Sequence, residues 1–274
     1  MSYTYGESVL NIKDLSLSFK NDKGKDKLIL RDINLDIKDV IGLETTGQVL
    51  TLLGPSGIGK TQLMKIIAGL QNPTTGTIEV GFDKQPPIAG KVGMVLQTYP
   101  LFEHRTIESN LNLVSDDKAR IDELLEYFEV FAHKKKYPCQ LSGGQRQRVA
   151  IIQQILSSDK FILLDEPFSG LDPIATRKLS ENIRKLADLN SENTIIISSH
   201  ILTPALAVSD TAIMLGNEYE ISQGVGMLAE KVKIPGATII ARHNLLEMGL
   251  AYRSDIRKDP DFIQLVNRIN DEFQ

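Results

Sequence analysis

Tryptophan is absent, aromatic residues make up only 6% of the chain, and a single cysteine, Cys139, stands alone. A lone thiol closes no internal disulfide, which points away from a stapled secreted scaffold and towards a reducing compartment. No apolar run approaches the ~18 residues that cross a bilayer, and the opening MSYTYGESVL lacks the basic-then-apolar layout of a secretion signal. The net charge of -4 offers no bulk attraction to nucleic acid or anionic lipid. There is no internal repeat and no low-complexity tract. A soluble, intracellular protein is expected. What is present is a chain of 274 residues, 42% of them hydrophobic, enough to bury the core of an α/β unit with a small second lobe.

The stretch around which the chain is organised is Gly54-Pro55-Ser56-Gly57-Ile58-Gly59-Lys60-Thr61, which fits G-x-x-x-x-G-K-[ST]. Before it, Gln48–Leu53 (QVLTLL) reads as a short buried strand. After it, Gln62–Leu70 (QLMKIIAGL) reads as a helix with one apolar face. Glycines let successive N–H groups turn inward on phosphate oxygens, and the helix adds the positive end of its dipole. Lys60 is then placed to reach the β- and γ-phosphates of ATP and the Thr61 hydroxyl to ligate Mg²⁺. An ordinary glycine turn with a surface lysine is the alternative, and the flanking strand and helix argue against it.

The rest of the chain alternates. Val9–Phe19 carries Leu10 and Ile12 on one phase and Leu15, Leu17 and Phe19 on the other, as a strand pair or a bulged strand. Asn21–Lys27 reads as a turn, Leu28–Ile37 as a strand, and Asp39–Gly47 as a long bridge to the glycine loop. Thr77–Gly81 and Lys91–Gln97 read as strands, and Thr98–Arg105 as irregular with exposed-looking aromatics. Ile121, Leu124, Leu125, Phe128 and Phe131 form one helical stripe. Phe161–Leu164, Thr194–Ser199 and Thr211–Leu215 read as strands, the first a continuous apolar run of the kind buried in a parallel sheet. Asp172-Pro173 and Asp259-Pro260 each start a helix, with an N-cap and proline at the first position. This implies an α/β fold with a mixed or parallel sheet, an antiparallel β flank and an inserted helical lobe.

Two further stretches carry chemistry. Asp165-Glu166 follows the FILL strand at its carboxyl end, where open α/β sheets bind ligands. Asp165 is placed for the Mg²⁺ shell and Glu166 to polarise the water that attacks the γ-phosphate; solvated carboxylates capping a strand are the plainer alternative. Leu141-Ser142-Gly143-Gly144-Gln145, ahead of a helix, is a second anion-binding nest. Two phosphate-binding elements in one chain suggest that two chains share each nucleotide.

At this point the chain resembles the ATP-binding cassette (ABC) ATPase family across roughly residues 8–220. LSGGQ is similar to the family's signature, GPSGIGKT to its Walker A loop, FILLDEP (Phe161–Pro167) to its Walker B strand, and SGLD (Ser169–Asp172) to its D-loop. The resemblance implies a P-loop NTPase core. It makes Gln97 the Q-loop glutamine that contacts Mg²⁺ and the attacking water, and His200 the switch histidine that holds Glu166. Phe19 either stacks on adenine as the family's A-loop aromatic or fills the β flank. The implied layout is residues 1–97 and 159–220 as the ATPase core, 98–158 as the helical lobe and 221–274 as a short extension. Three departures stand out: Gln62 where Ser or Thr is usual, Ile152-Gln153-Gln154 in place of a small, Arg-containing run, and the long 39–47 bridge.

The function implied is that of an ATP-hydrolysing subunit that energises a membrane transporter, with a bacterial importer the nearest likeness. It would act as an ATP-dependent homodimer, or paired with a related cassette, on the inner face of the cell membrane against integral-membrane subunits, with no nucleic acid. An exporter subunit and a soluble non-transport ABC ATPase are the alternatives. Tyr99-Pro100-Leu101-Phe102 then belongs either to the groove that receives the membrane subunit or to the core of the helical lobe.

Overall fold

The computed structural model describes residues 3–20, 24–42, 47–158, 160–222, 230–251, 253 and 255–273. The strands are β1 (Thr4–Lys20), β2 (Asp26–Ile41), β3 (Gln48–Leu53), β4 (Thr75–Val80), β5 (Gly93–Val95) and β6 (Phe161–Asp165). They continue with β7 (Thr194–Ser199), β8 (Thr211–Gly216), β9 (Tyr219–Ser222), β10 (Glu230–Lys233) and β11 (Thr238–Asn244). The α-helices are α1 (Lys60–Ile67), α2 (Ile107–Leu111), α3 (Lys118–Tyr127), α4 (Gly143–Ser157), α5 (Pro173–Asp188), α6 (Leu202–Leu206) and α7 (Pro260–Glu272). None is long and apolar enough to cross a membrane.

A six-stranded sheet runs β11-β8-β3-β7-β6-β5. Its strands are parallel except β11, which lies antiparallel beside β8. Every residue of β3, β6 and β7 is buried, as their largely apolar runs require in a sheet covered on both faces. Alternate residues feed two cores. Leu50, Leu52, Leu163 and Ile196 meet α1 and the β flank, while Val49, Leu53, Ile162 and Ile195 meet the remaining helices.

The flank is a three-stranded antiparallel sheet, β2-β1-β4. β1 is one bulged strand: its register against β2 slips at several places, among them between Ile12 and Leu15, where Asp14 has φ 49°, and between Leu15 and Leu17, where Asp32 of β2 has φ 47°. These slips return Leu10, Ile12, Leu15 and Leu17 to the same buried side, which explains the two phases of the sequence. Gly76 is required there, since a Cβ would lie 2.5 Å from the Asp14 carbonyl.

Several boundaries differ from the sequence expectation. α1 begins at Lys60 itself and ends at Ile67, because the chain reverses at Gly69 (φ 69°), where a Cβ would lie 2.8 Å from the Pro87 carbonyl. β5 spans only Gly93–Val95, and Phe131 leaves the α3 stripe for a short 3-10 turn. β2 extends to Ile41, taking in the start of the expected bridge; residues 43–46 of that bridge and 21–23 of the expected turn lie outside the described residues. Residues 98–105 are not uniformly exposed. Leu101 is buried and Tyr99 packs against the core, leaving Phe102 outside.

The lobe helices α2, α3 and α4 share one continuous core with the sheet through Leu111, Leu125, Phe128 and Val149. The Ile152-Gln153-Gln154 departure is absorbed here. Ile152 is fully buried, and Gln154 Oε1 accepts from the Met94 N–H of edge strand β5 at 3.0 Å. Beyond β10, β11 edges the sheet, and Phe262, Leu265 and Ile269 of α7 enter the core.

Candidate functional site

The carboxyl ends of β3, β6 and β7 meet at one place. The loop leaving β3 takes Gly57 and Gly59 through positive φ (77° and 118°), and α1 starts immediately after. Gly59 has no room for a side chain, since a Cβ would lie 2.8 Å from Leu30 Cδ2 of the flank. Lys60 folds back over the loop and donates to the carbonyls of Gly54 (2.8 Å) and Pro55 (3.1 Å).

Asp165 and Glu166 reach the same place from the end of β6. Thr61 Oγ1 donates to Asp165 at 2.9 and 3.1 Å. Glu166 pairs through Oε1 with Lys60 Nζ at 2.9 Å and through Oε2 with His200 Nδ1 at 2.8 Å. A carboxylate oxygen accepts, so His200 Nδ1 is the donor in this contact. Lys60 is 4% exposed and Glu166 15%, so both charges are largely withdrawn from water while His200 stays at the rim, 42% exposed.

Ser198 was not singled out in the sequence, yet it sets the two carboxylates. Its hydroxyl donates to Asp165 Oδ1 at 2.6 Å and accepts from the Glu166 N–H at 2.9 Å. The signal was a polar pair closing an otherwise apolar strand directly before His200. Gln62, in the first turn of α1, has its Oε1 buried without a hydrogen-bond partner.

The other expected residues lie apart from this cluster. Gln97 is exposed in the turn after β5, and among the described residues no hydrogen bond joins it to Thr61, Asp165 or Glu166. Phe19 is 42% exposed near the end of β1 opposite Lys27, so it does not fill the flank core. Ser142 caps α4 in a reciprocal box with Gln145: its hydroxyl accepts from the Gln145 N–H (3.3 Å), and Gln145 Oε1 accepts from the Ser142 N–H (2.9 Å). Gly143 and Gly144 face open space. They line a cavity of about 410 Å³ together with Gly170, Asp172 and Lys178, so the two sequence stretches border one opening.

A glycine loop capped by a helix, a buried lysine and two carboxylates at the carboxyl ends of parallel strands define a phosphate-binding α/β cassette. Residues 32–169 match the ABC transporter family, and the chain belongs to it. It is 34% identical to the aliphatic sulfonates import ATP-binding protein SsuB of Bacillus subtilis over 92% of this chain and 89% of that one. It is 37% identical to the sulfate/thiosulfate import ATP-binding protein CysA of Mesorhizobium japonicum over 68% of this chain and 56% of that protein. The chain thus spans about half the length of the CysA relatives it matches. In fold it is similar to the dimeric MJ0796 bacterial ABC transporter cassette, with a TM-score of 0.67 and 23% identity over 86% of this chain and 98% of that one. CbiO1 of Clostridium perfringens, part of the CbiONQ ABC transporter complex, gives the same TM-score over 89% and 91%.

Proposed function

We propose that this chain is the ATP-hydrolysing subunit of an ABC importer, working as a dimer on the cytoplasmic face of the membrane against integral-membrane subunits. The observation that carries this reading is the placement of Glu166 between Lys60 and His200 at the mouth of the glycine loop. Relatives that match over most of their length are named as import ATP-binding proteins, which supports the importer reading over an exporter or a soluble ATPase.

In this reading the N–H groups of the Gly54–Thr61 loop and Lys60 hold the β- and γ-phosphates. Gln62, in the first turn of α1, offers its side-chain N–H to the α-phosphate. Phe19, exposed at the strand end, stacks on adenine. Thr61 Oγ1 and the Asp165 carboxylate are hard oxygen donors within 3.1 Å of each other and fit Mg²⁺, with Gln97 as a further contact. The metal supplies charge neutralisation on the phosphate oxygens. Glu166 takes a proton from the water whose oxygen bonds to the γ-phosphorus as the bond to ADP breaks, and His200 holds Glu166 in line. Ser142, Gly143, Gly144 and Gln145 act on the nucleotide held by the other chain.

The test is the Glu166→Gln variant with ATP and Mg²⁺. It should bind nucleotide, lose nearly all phosphate release and elute as a dimer from a sizing column. Wild-type turnover, or a monomer at saturating ATP, would overturn the reading.

A further inference from the structure

Gln147 lies near the start of α4, 3% exposed, and its Nε2 donates to two acceptors at once: the Tyr99 hydroxyl oxygen at 2.6 Å and the Pro167 carbonyl at 3.2 Å. An amide nitrogen has two hydrogens, so both are used. A carbonyl only accepts, so Pro167 dictates which end of the amide faces it. The three residues come from three different motif stretches. Tyr99 stands two residues after Gln97, Gln147 two after the signature glutamine, and Pro167 directly after Glu166.

The backbone at both ends of this bridge is unusual. Tyr99 has φ 45° and Glu166 φ 48°, in the left-handed region that side chains disfavour. Such residues persist where surrounding contacts hold them, and they gather at functional sites. Burial pushes the Tyr99 phenol up to about 12, so it stays a neutral hydroxyl. One residue earlier on α4, Arg146 pairs with Glu103. Successive side chains of the helix thus grip both ends of the 99–103 segment, from which Phe102 projects.

We propose that Gln147 is a positioning residue for ATP hydrolysis: it ties the peptide after Glu166 to the signature helix and to the segment after β5. Glu166 is then aimed correctly only while the helical lobe holds this arrangement. The proposal rests on the reading of Glu166 as the acceptor of the water's proton. Packing alone would be satisfied by leucine, which has a similar volume but leaves the Pro167 carbonyl and the Tyr99 hydroxyl without their donor.

The experiment compares purified full-length Tyr99→Phe, Gln147→Leu, the double variant and Glu166→Gln, measuring ATP Kd with a fluorescent nucleotide and kcat from phosphate release. Both single substitutions should lower kcat about tenfold or more, as misaligned reacting groups do, with Kd within about twofold. The double variant should be no worse than Gln147→Leu, because that substitution already removes both hydrogen bonds of the bridge. Wild-type kcat in Tyr99→Phe and Gln147→Leu beside an inactive Glu166→Gln overturns the proposal alone. Turnover in Glu166→Gln overturns the reading beneath it as well. A fall in kcat matched by an equal rise in Kd and a lower unfolding temperature would mark Gln147 as merely structural. Should Gln147→Leu fail to fold, Gln147→Met replaces it, because Tyr99→Phe by itself leaves the bond to the Pro167 carbonyl in place, and wild-type kcat in Gln147→Met overturns the proposal.

Discussion

Glu166 Oε1 lies 2.9 Å from Lys60 Nζ, so the residue read as base occupies the cation read as phosphate anchor. A γ-phosphate has to compete with this carboxylate for Lys60. Opposite effects on ATP binding follow from the two sides of the pair. Lys60→Ala should weaken ATP binding about tenfold or more, the worth of a charge-assisted hydrogen bond. Glu166→Gln should leave binding equal or tighter. Equilibrium dialysis checks both, and near-normal affinity in Lys60→Ala would contradict the anchor role.

The signature residues should act across chains. Ser142 and Gln145 satisfy each other at the helix cap, while Gly143 and Gly144 face an opening. Mixing Lys60→Ala with Ser142→Arg protein gives mixed dimers with one site doubly damaged and one intact. Partial recovery of ATPase activity is expected. No recovery, with mixed dimers shown to form, would count against sharing.

Phe102 and Leu101 should separate. Asn110, fully buried, accepts from the Phe102 N–H at 2.8 Å, and the two hydrogens of its amide nitrogen are shared among the carbonyls of Phe102, Arg105 and Thr106. This clamp presents Phe102, 53% exposed, on a fixed loop. Phe102→Asp should leave folding and ATP binding intact and release the chain from membranes or a co-purifying membrane subunit. Leu101→Asp buries an unpaired charge and should cost on the order of 3 kcal/mol or more in stability. Urea unfolding of the two variants distinguishes them; equal destabilisation would show that Phe102 is held as firmly as the core.

Acid should weaken the β11–α7 junction. Burial holds His243 below its ordinary value, with Arg268 acting in the same direction and Glu272 opposing. A base with a depressed folded pKa stays neutral while the unfolded chain takes up a proton, so this contribution is present above about 6.5 and is lost as pH falls through the folded value. Unfolding midpoints at pH 7.5 and 5.5 should differ more in the wild type than in His243→Gln. An equal difference would remove His243 as the cause.

The sequence by itself determined the elements whose physics is local. The glycine loop, the proline-led helix starts of α5 and α7 and the apolar FILL strand each follow from neighbours within a few residues, and each stands where it was read. Tertiary structure decided what depends on distant partners. The two phases of β1 belong to one strand with shifted register because β2 and β4 pair on either side of it. The Tyr99–Phe102 segment divided because α4 and the buried Asn110 grip alternate parts of it. The roles of Ser198 and Gln147 arise only where β6, β7, α4 and the post-β5 turn converge. A hydrogen bond between residues 33 positions apart, such as Ser198 to Asp165, leaves no periodicity in the chain; only the packed sheet brings its two ends together.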